Sequence, residues 1–201
     1  MNTFGKNLRL TTFGESHGKA MGGIIDGFPP GFMIDFEKLQ EELNKRKPGS
    51  SKFVSSRREP DVPEFLSGIN EEGITLGTPI GFIIRNLDFR SEDYKQNISR
   101  FRPNHADYTY NKKYGIRDYR GGGRASARET LNWVTAGTLA SQWLESKGIK
   151  IYAFLSQVGE IKNPSINLLR HLGKEVSAQT FNDPEFEDRV EAELEVVKAQ
   201  G

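Results

Sequence analysis

From Arg120 to Thr130 the chain reads Arg-Gly-Gly-Gly-Arg-Ala-Ser-Ala-Arg-Glu-Thr, and no other stretch restricts the fold as strongly. Three consecutive glycines carry a high backbone entropy cost in any regular element, so a loop is expected at 121–123. Ser126 with Glu129 three residues on has the spacing of a capping box, which predicts a helix starting at Ser126. Leu131, Val134, Leu139 and Trp143 give that helix a broad apolar side, and Gly148 closes it. Its free N–H groups and positive dipole end would face the glycine loop, an arrangement suited to anions. Arg124 and Arg128 flank that end, where a cation opposes the dipole by up to roughly 1 kcal/mol. A bound phosphate would turn this cost into charge-assisted contacts, which favours an anion site over a plain capped helix. The spacing is not that of the dinucleotide fingerprint G-x-G-x-x-G.

Two more helices are predicted, one from Asp35 as N-cap through Phe36, Leu39 and Leu43 to Pro48-Gly49. The other opens at Asp183-Pro184 and carries Phe186, Val190, Leu194 and Val197 on one side. Strands are expected at 8–13, 23–27, 78–85 and 149–158. No repeat or low-complexity tract interrupts this pattern, so residues 1–201 read as one domain of the α+β class.

Charge is nearly balanced, 28 basic against 27 acidic residues, which is a poor footprint for a nucleic-acid binder. Its distribution says more. Lys45, Arg46, Lys47, Lys52, Arg57 and Arg58 follow one another without an acid, in a loop rich in small residues, as anion-binding loops do. The absence of cysteine excludes disulfides, thiolate nucleophiles and Cys-based metal sites. No apolar run approaches a membrane span and no secretory h-region follows the N-terminus, so a soluble, cytoplasmic protein is expected. No pair of histidines has zinc-helix spacing, so no metal is expected.

Proton chemistry points to two loops. His17 lies in Gly14-Glu15-Ser16-His17-Gly18, flanked by glycines and by no apolar face, a setting that suits proton transfer near neutral pH. The same residues formally match the G-x-S-x-G elbow of serine hydrolases. That elbow needs a helix straight after the serine, and the glycines and apolar run that follow read as turn and strand. His105 lies in Arg102-Pro103-Asn104-His105-Ala106-Asp107, again beside an arginine. His171 has no such surroundings and reads as a surface or structural residue.

Thr12 to Gly18, Arg102 to Asp107 and Tyr119 to Thr130 closely resemble the three signatures of the chorismate synthase family. Lys47-Pro48-Gly49 and Arg57-Arg58-Glu59-Pro60-Asp61 are similar to its basic loop. The resemblance implies a β-α-β sandwich, incomplete here at the C-terminus, from a homotetrameric lyase of aromatic amino-acid biosynthesis. Such an enzyme eliminates phosphate and one ring proton from 5-enolpyruvylshikimate 3-phosphate to give chorismate, using reduced FMN, with NADPH as a source of reductant. Carried over, His17 protonates the leaving phosphate with Ser16 beside it, and His105 faces the flavin. Arg124, Ala125 and Ser126 match the flavin-contacting stretch, and Arg46, Lys52, Arg102 and Arg128 match substrate-binding positions. Lys45, Lys47 and Lys52 stand where the family often has arginine, and Asn104 where glycine is usual. Family members run well past 201 residues, so the chain alone is expected not to turn over. The alternative is an anion- or RNA-binding module without catalysis, although aromatic residues are not interleaved with the basic loops as RNA stacking would require.

Overall fold

The structure is a computed structural model that describes residues 2–46, 59–87, 98, 100–103, 105–164 and 183–200. It divides into two compact units, Met1–Ile149 and Lys150–Gly201.

The first unit is built on an antiparallel sheet in the order β1-β2-β3-β5-β4: β1 Thr3–Phe4, β2 Arg9–Gly14, β3 Ala20–Asp26, β4 Glu64–Phe65 and β5 Ile80–Arg85. Alternation decides its faces. Met21 and Ile25 of β3 and Ile80, Phe82 and Ile84 of β5 are buried, while Ile24 between them is 43 % exposed. Gly23 belongs to the buried row because a Cβ there would lie 2.8 Å from the Phe82 ring. Two helices cover this face, α1 (Phe36–Arg46) with Leu39 and Leu43, and α3 (Thr130–Glu145) with Leu131 and Leu139, all in one core with the sheet residues. Truncating Leu43, which has no exposed surface, to alanine would cost about 2–5 kcal/mol.

Polar ties fix the helix layer. Asp35 caps α1 by accepting from the Lys38 amide at 2.9 Å, as the sequence predicts. Gln142 of α3 accepts from the Asp35 amide at 2.9 Å and donates to its carbonyl at 2.8 Å, so one amide side chain holds the start of α1. At the far end of α3, Gly148 takes φ +77° and the Ile149 amide reaches the Leu144 carbonyl at 3.0 Å, closing the helix at the expected glycine.

Two local expectations are corrected and one unexpected element is found. The α-helix begins at Thr130, preceded by a 3-10 turn at Ala127–Glu129, rather than at Ser126. Residues 107–114 form a helix that their sequence hides, α2 (Asp107–Tyr114), because it lacks an apolar stripe; Gly115 at φ +75° closes it. The strand expected over 149–158 survives only as β6 (Gln157–Val158), paired with β7 (Ile161–Lys162) in the second unit. Ile149 is spent on the α3 cap, and β7 offers only two residues to pair. The second unit also contains α4 (Pro184–Gln200), capped as predicted by Asp183, which accepts from the Phe186 amide at 3.1 Å. Among the described residues no helix is long and apolar enough to cross a membrane.

Candidate active site

The loop between β2 and β3 carries Ser16 and His17. Gly14 opens it at φ +96°, where a Cβ would lie 2.3 Å from the Ala20 carbonyl oxygen, so the chain turns tightly back into β3. A turn and a strand follow Ser16, as read from the sequence, and the helix of a hydrolase elbow does not form. Asn86, just past β5, braces the loop by donating to the carbonyls of Glu15 at 3.0 Å and Gly18 at 2.8 Å. Ser16 has no exposed surface, and its Oγ lies 3.0 Å from Nδ1 of His17, itself 9 % exposed.

The glycine loop closes over this pair. The Ser16 amide donates to the Gly123 carbonyl at 3.2 Å, and a Cβ at Gly121 would lie 2.1 Å from His17 Nδ1. Gly121 therefore admits the histidine ring rather than a ligand, at φ +56°, which a side chain would also strain. Gly122 and Gly123 do line a cavity of about 670 Å³, together with Glu15, Tyr110, Tyr114, Asp118, Arg120, Arg124 and Ala125. This volume falls in the range of small-molecule sites. Neither His17 nor His105 forms part of its lining.

The predicted capping box does not close. Ser126 Oγ accepts from the Arg128 amide at 3.2 Å, but the Glu129 carboxylate turns to Arg124, which holds it through both terminal nitrogens and also reaches Thr12. A buried guanidinium outcompetes a backbone amide for a carboxylate. The arginines expected to await an anion are likewise engaged. Arg102 donates to Asp107 from its amide, Nε and Nη2, and from Nη2 to the Gly121 carbonyl at 2.6 Å, so it positions the loop that packs on His17. Arg46 and Arg128 meet on Asp61, at 2.8 and 3.0 Å, and Arg128 Nε donates to Asn86 Oδ1 at 2.7 Å. Glu59 stands 3.9 Å from Arg128 and accepts from the Leu87 amide.

His105 is exposed in the turn before α2, with Nδ1 3.1 Å from the Pro103 carbonyl. The structure thus gathers Ser16, His17, Arg124, Ala125 and Ser126 at one junction of loops and brings Arg46 to Arg128. Lys52, His171, Asn104, Lys47-Pro48-Gly49 and Arg57-Arg58 lie outside the described residues.

The local field is set by carboxylates that the sequence did not single out as functional. Hydrogen bonds from Arg102 hold the Asp107 carboxyl down to about 2. Burial pushes Asp118 up, but hydrogen bonds from the Arg120 side chain and amide outweigh it, and the carboxyl sits below its ordinary value. Burial raises Glu15 against the pull of Arg124, with Asp118 and Glu129 pushing the same way as burial. Asp61 stood in the basic loop and could have been noticed there; Asn86 carries no signal beyond ending a strand. Among the described residues no group of three or more His, Asp or Glu is placed to hold a metal ion.

An antiparallel sheet backed by helices, whose loops hold a buried serine–histidine pair beside a cavity lined by arginines and carboxylates, is a scaffold with a candidate polar ligand site. Comparison with known proteins makes this specific. Residues 8–201 match the family model of chorismate synthase. The chorismate synthase of Christiangramia forsetii is 52 % identical over 201 residues, covering 100 % of this chain and 56 % of the relative. That of Phocaeicola vulgatus is 57 % identical over 161 residues, 80 % of this chain and 45 % of the relative. A crystal structure of a chorismate synthase superposes with a TM-score of 0.68 at 30 % identity, covering 98 % of this chain and 54 % of that one. The chain belongs to the chorismate synthase family, and it spans about half the length of the curated relatives it matches.

Proposed function

We propose that the whole protein is a phosphate-eliminating lyase that converts 5-enolpyruvylshikimate 3-phosphate to chorismate and phosphate, and that this chain carries the proton donor for the leaving group. The observation that supports this most is the Ser16–His17 pair, shielded from solvent and clamped by Gly121 in a chain of this family.

In the elimination the C–O bond to phosphate breaks with its electron pair going to the phosphate oxygen, and one ring C–H bond breaks with its electron pair forming the new C=C bond and its proton passing through a base to water, which balances the proton that His17 gives to phosphate. A proton donor starts as the imidazolium, in which both ring nitrogens carry hydrogen: Nδ1–H then donates to Ser16 Oγ, 3.0 Å away, which fixes the ring, and the proton on Nε2 passes to the departing phosphate. The Pro103 carbonyl can only accept, so His105 carries its proton on Nδ1 and leaves Nε2 as an acceptor; its place beside the flavin in this reading follows the family resemblance, since it does not line the cavity. Arg46, Arg102 and Arg128 serve the substrate's anionic groups, with Lys52 from the basic loop. Asp61, shared by Arg46 and Arg128, and Asp107, on Arg102, keep the guanidiniums fixed before substrate arrives, which lowers the ordering cost of binding.

The cavity fits a flavin. Arg124 and Ala125 line it, Ser126 follows them directly, and Tyr110 and Tyr114, also in the lining, offer aromatic surface to a planar ring. Reduced FMN, when bound, supplies an electron-rich ring to a reaction with no net redox change; NADPH would keep it reduced. We read residues 1–201 as part of a single domain of a cytoplasmic homotetramer, following the family.

The test is a version extended to the relatives' full length, assayed for chorismate and phosphate release with reduced FMN. His17→Ala and His105→Ala should each lower turnover by about 10²-fold or more while circular dichroism stays unchanged. Normal rates in both variants would remove the assigned roles.

A further inference from the structure

The charged groups that wall the cavity differ in how they are engaged. Arg124 is committed to Glu129 and Thr12, and Arg117 pairs with Asp107 at 3.6 Å and donates to the Arg100 carbonyl at 2.8 Å. Arg120 differs from both. Its Nε and Nη2 edge is held by Asp118, with contacts of 3.0, 3.2 and 2.7 Å, and its own amide donates to the same carboxylate at 2.9 Å. Among the described residues Nη1 has no hydrogen-bond partner, and 39 % of the side chain remains exposed.

We propose that Arg120 presents this open edge to the cavity as the contact for a phosphate or carboxylate oxyanion, and that Asp118 is the positioning residue that aims it. The inference rests on the reading of the cavity as a ligand site. Four contacts to a carboxylate two residues away take up the rotamer freedom that a long side chain would otherwise lose on binding. A guanidinium can satisfy one carboxylate along one edge and still offer a donor at the other, which an ammonium held in the same way does less well. Glu15 faces the same space and opposes an anion. Burial raises its carboxyl pKa, however, so among the wall's carboxylates it is the one whose charge is least favoured.

The chain itself can be titrated with inorganic phosphate by calorimetry. Arg120→Gln should weaken phosphate binding about tenfold, and Asp118→Asn by a few fold, because the donor remains but is no longer aimed. Equal affinity in wild type and Arg120→Gln, or no phosphate binding by wild type, overturns the proposal. If Arg120→Gln does not fold by circular dichroism, Arg120→Lys takes its place; it keeps the charge without the fork, should still lose a few fold, and equality again overturns the proposal. Fluorescence titrations with FMN and riboflavin identify the source of the oxyanion. Loss confined to FMN assigns it to the flavin's phosphate, whereas unchanged binding of both alongside lost phosphate binding assigns it to the substrate. Arg120-dependent phosphate binding in a chain that takes up neither flavin would sustain the Arg120 contact and sink the flavin reading.

Discussion

Asp61 Oδ1 accepts a hydrogen bond from Arg128 Nη2 at 3.0 Å across 67 positions of sequence, while its Oδ2 takes Arg46 at 2.8 Å. The carboxylate has no exposed surface, and the residue sits at φ +50°, a conformation that aspartate and asparagine tolerate better than most. One buried anion therefore joins the end of α1 to the turn that precedes α3.

Removing that anion strands two guanidiniums that are largely shielded from water. Asp61→Ala should lower unfolding free energy by about 3–5 kcal/mol in denaturant titration. A loss below about 1 kcal/mol would mean that the bridge is not formed in solution.

Gly121 and His17 make a second prediction. A Cβ at 121 would stand 2.1 Å from the imidazole, at a backbone φ of +56°. Gly121→Ala should cost about 1–3 kcal/mol and displace the ring, which the His17 side-chain NMR signals would report. In the full-length protein, turnover should fall more than substrate affinity.

The Asp107 carboxyl is held at about 2, chiefly by Arg102, below its ordinary value of 3.8. A depressed carboxyl contributes stability above its unfolded pKa and loses it as pH falls through the folded one. Wild type should therefore lose about 2 kcal/mol of this contribution between about pH 4 and pH 2. Asp107→Asn should lower the melting temperature at pH 7 and narrow the gap to wild type at pH 2; a gap independent of pH would contradict the pairing.

Glu15 works with the opposite sign. Burial, the largest influence on it, raises its carboxyl above the unfolded value, so its contribution is present at low pH and fades as pH rises through the folded pKa. Glu15→Gln should raise the melting temperature at pH 7 relative to its effect at pH 4. A variant stabilised more at pH 4 than at pH 7 would reverse the assignment.

Local chemistry made much of the molecule legible in advance. Asp35 and Asp183 announced their helices because capping is satisfied within a few residues of the chain. Glycines at 14, 121 and 148 announced their turns for the same reason. The signature loops, read whole, also pointed to the family, since a site for an anion and a proton donor needs those residue types close together.

Partnership across the chain was not legible. Ser126 and Glu129 have capping-box spacing, yet Glu129 turns to Arg124, because folding buries that guanidinium beside it. The 149–158 segment alternates like a strand, but pairing depends on which neighbour presents an edge, and only two residues find one. Sequence by itself determined the caps at Asp35, Asp183 and Gly148, the glycine turns and the residue types of the site. Tertiary structure alone decided which arginine meets which carboxylate, since ion pairing depends on distance and burial, and residues as far apart as Asp61 and Arg128 acquire both only when the chain folds.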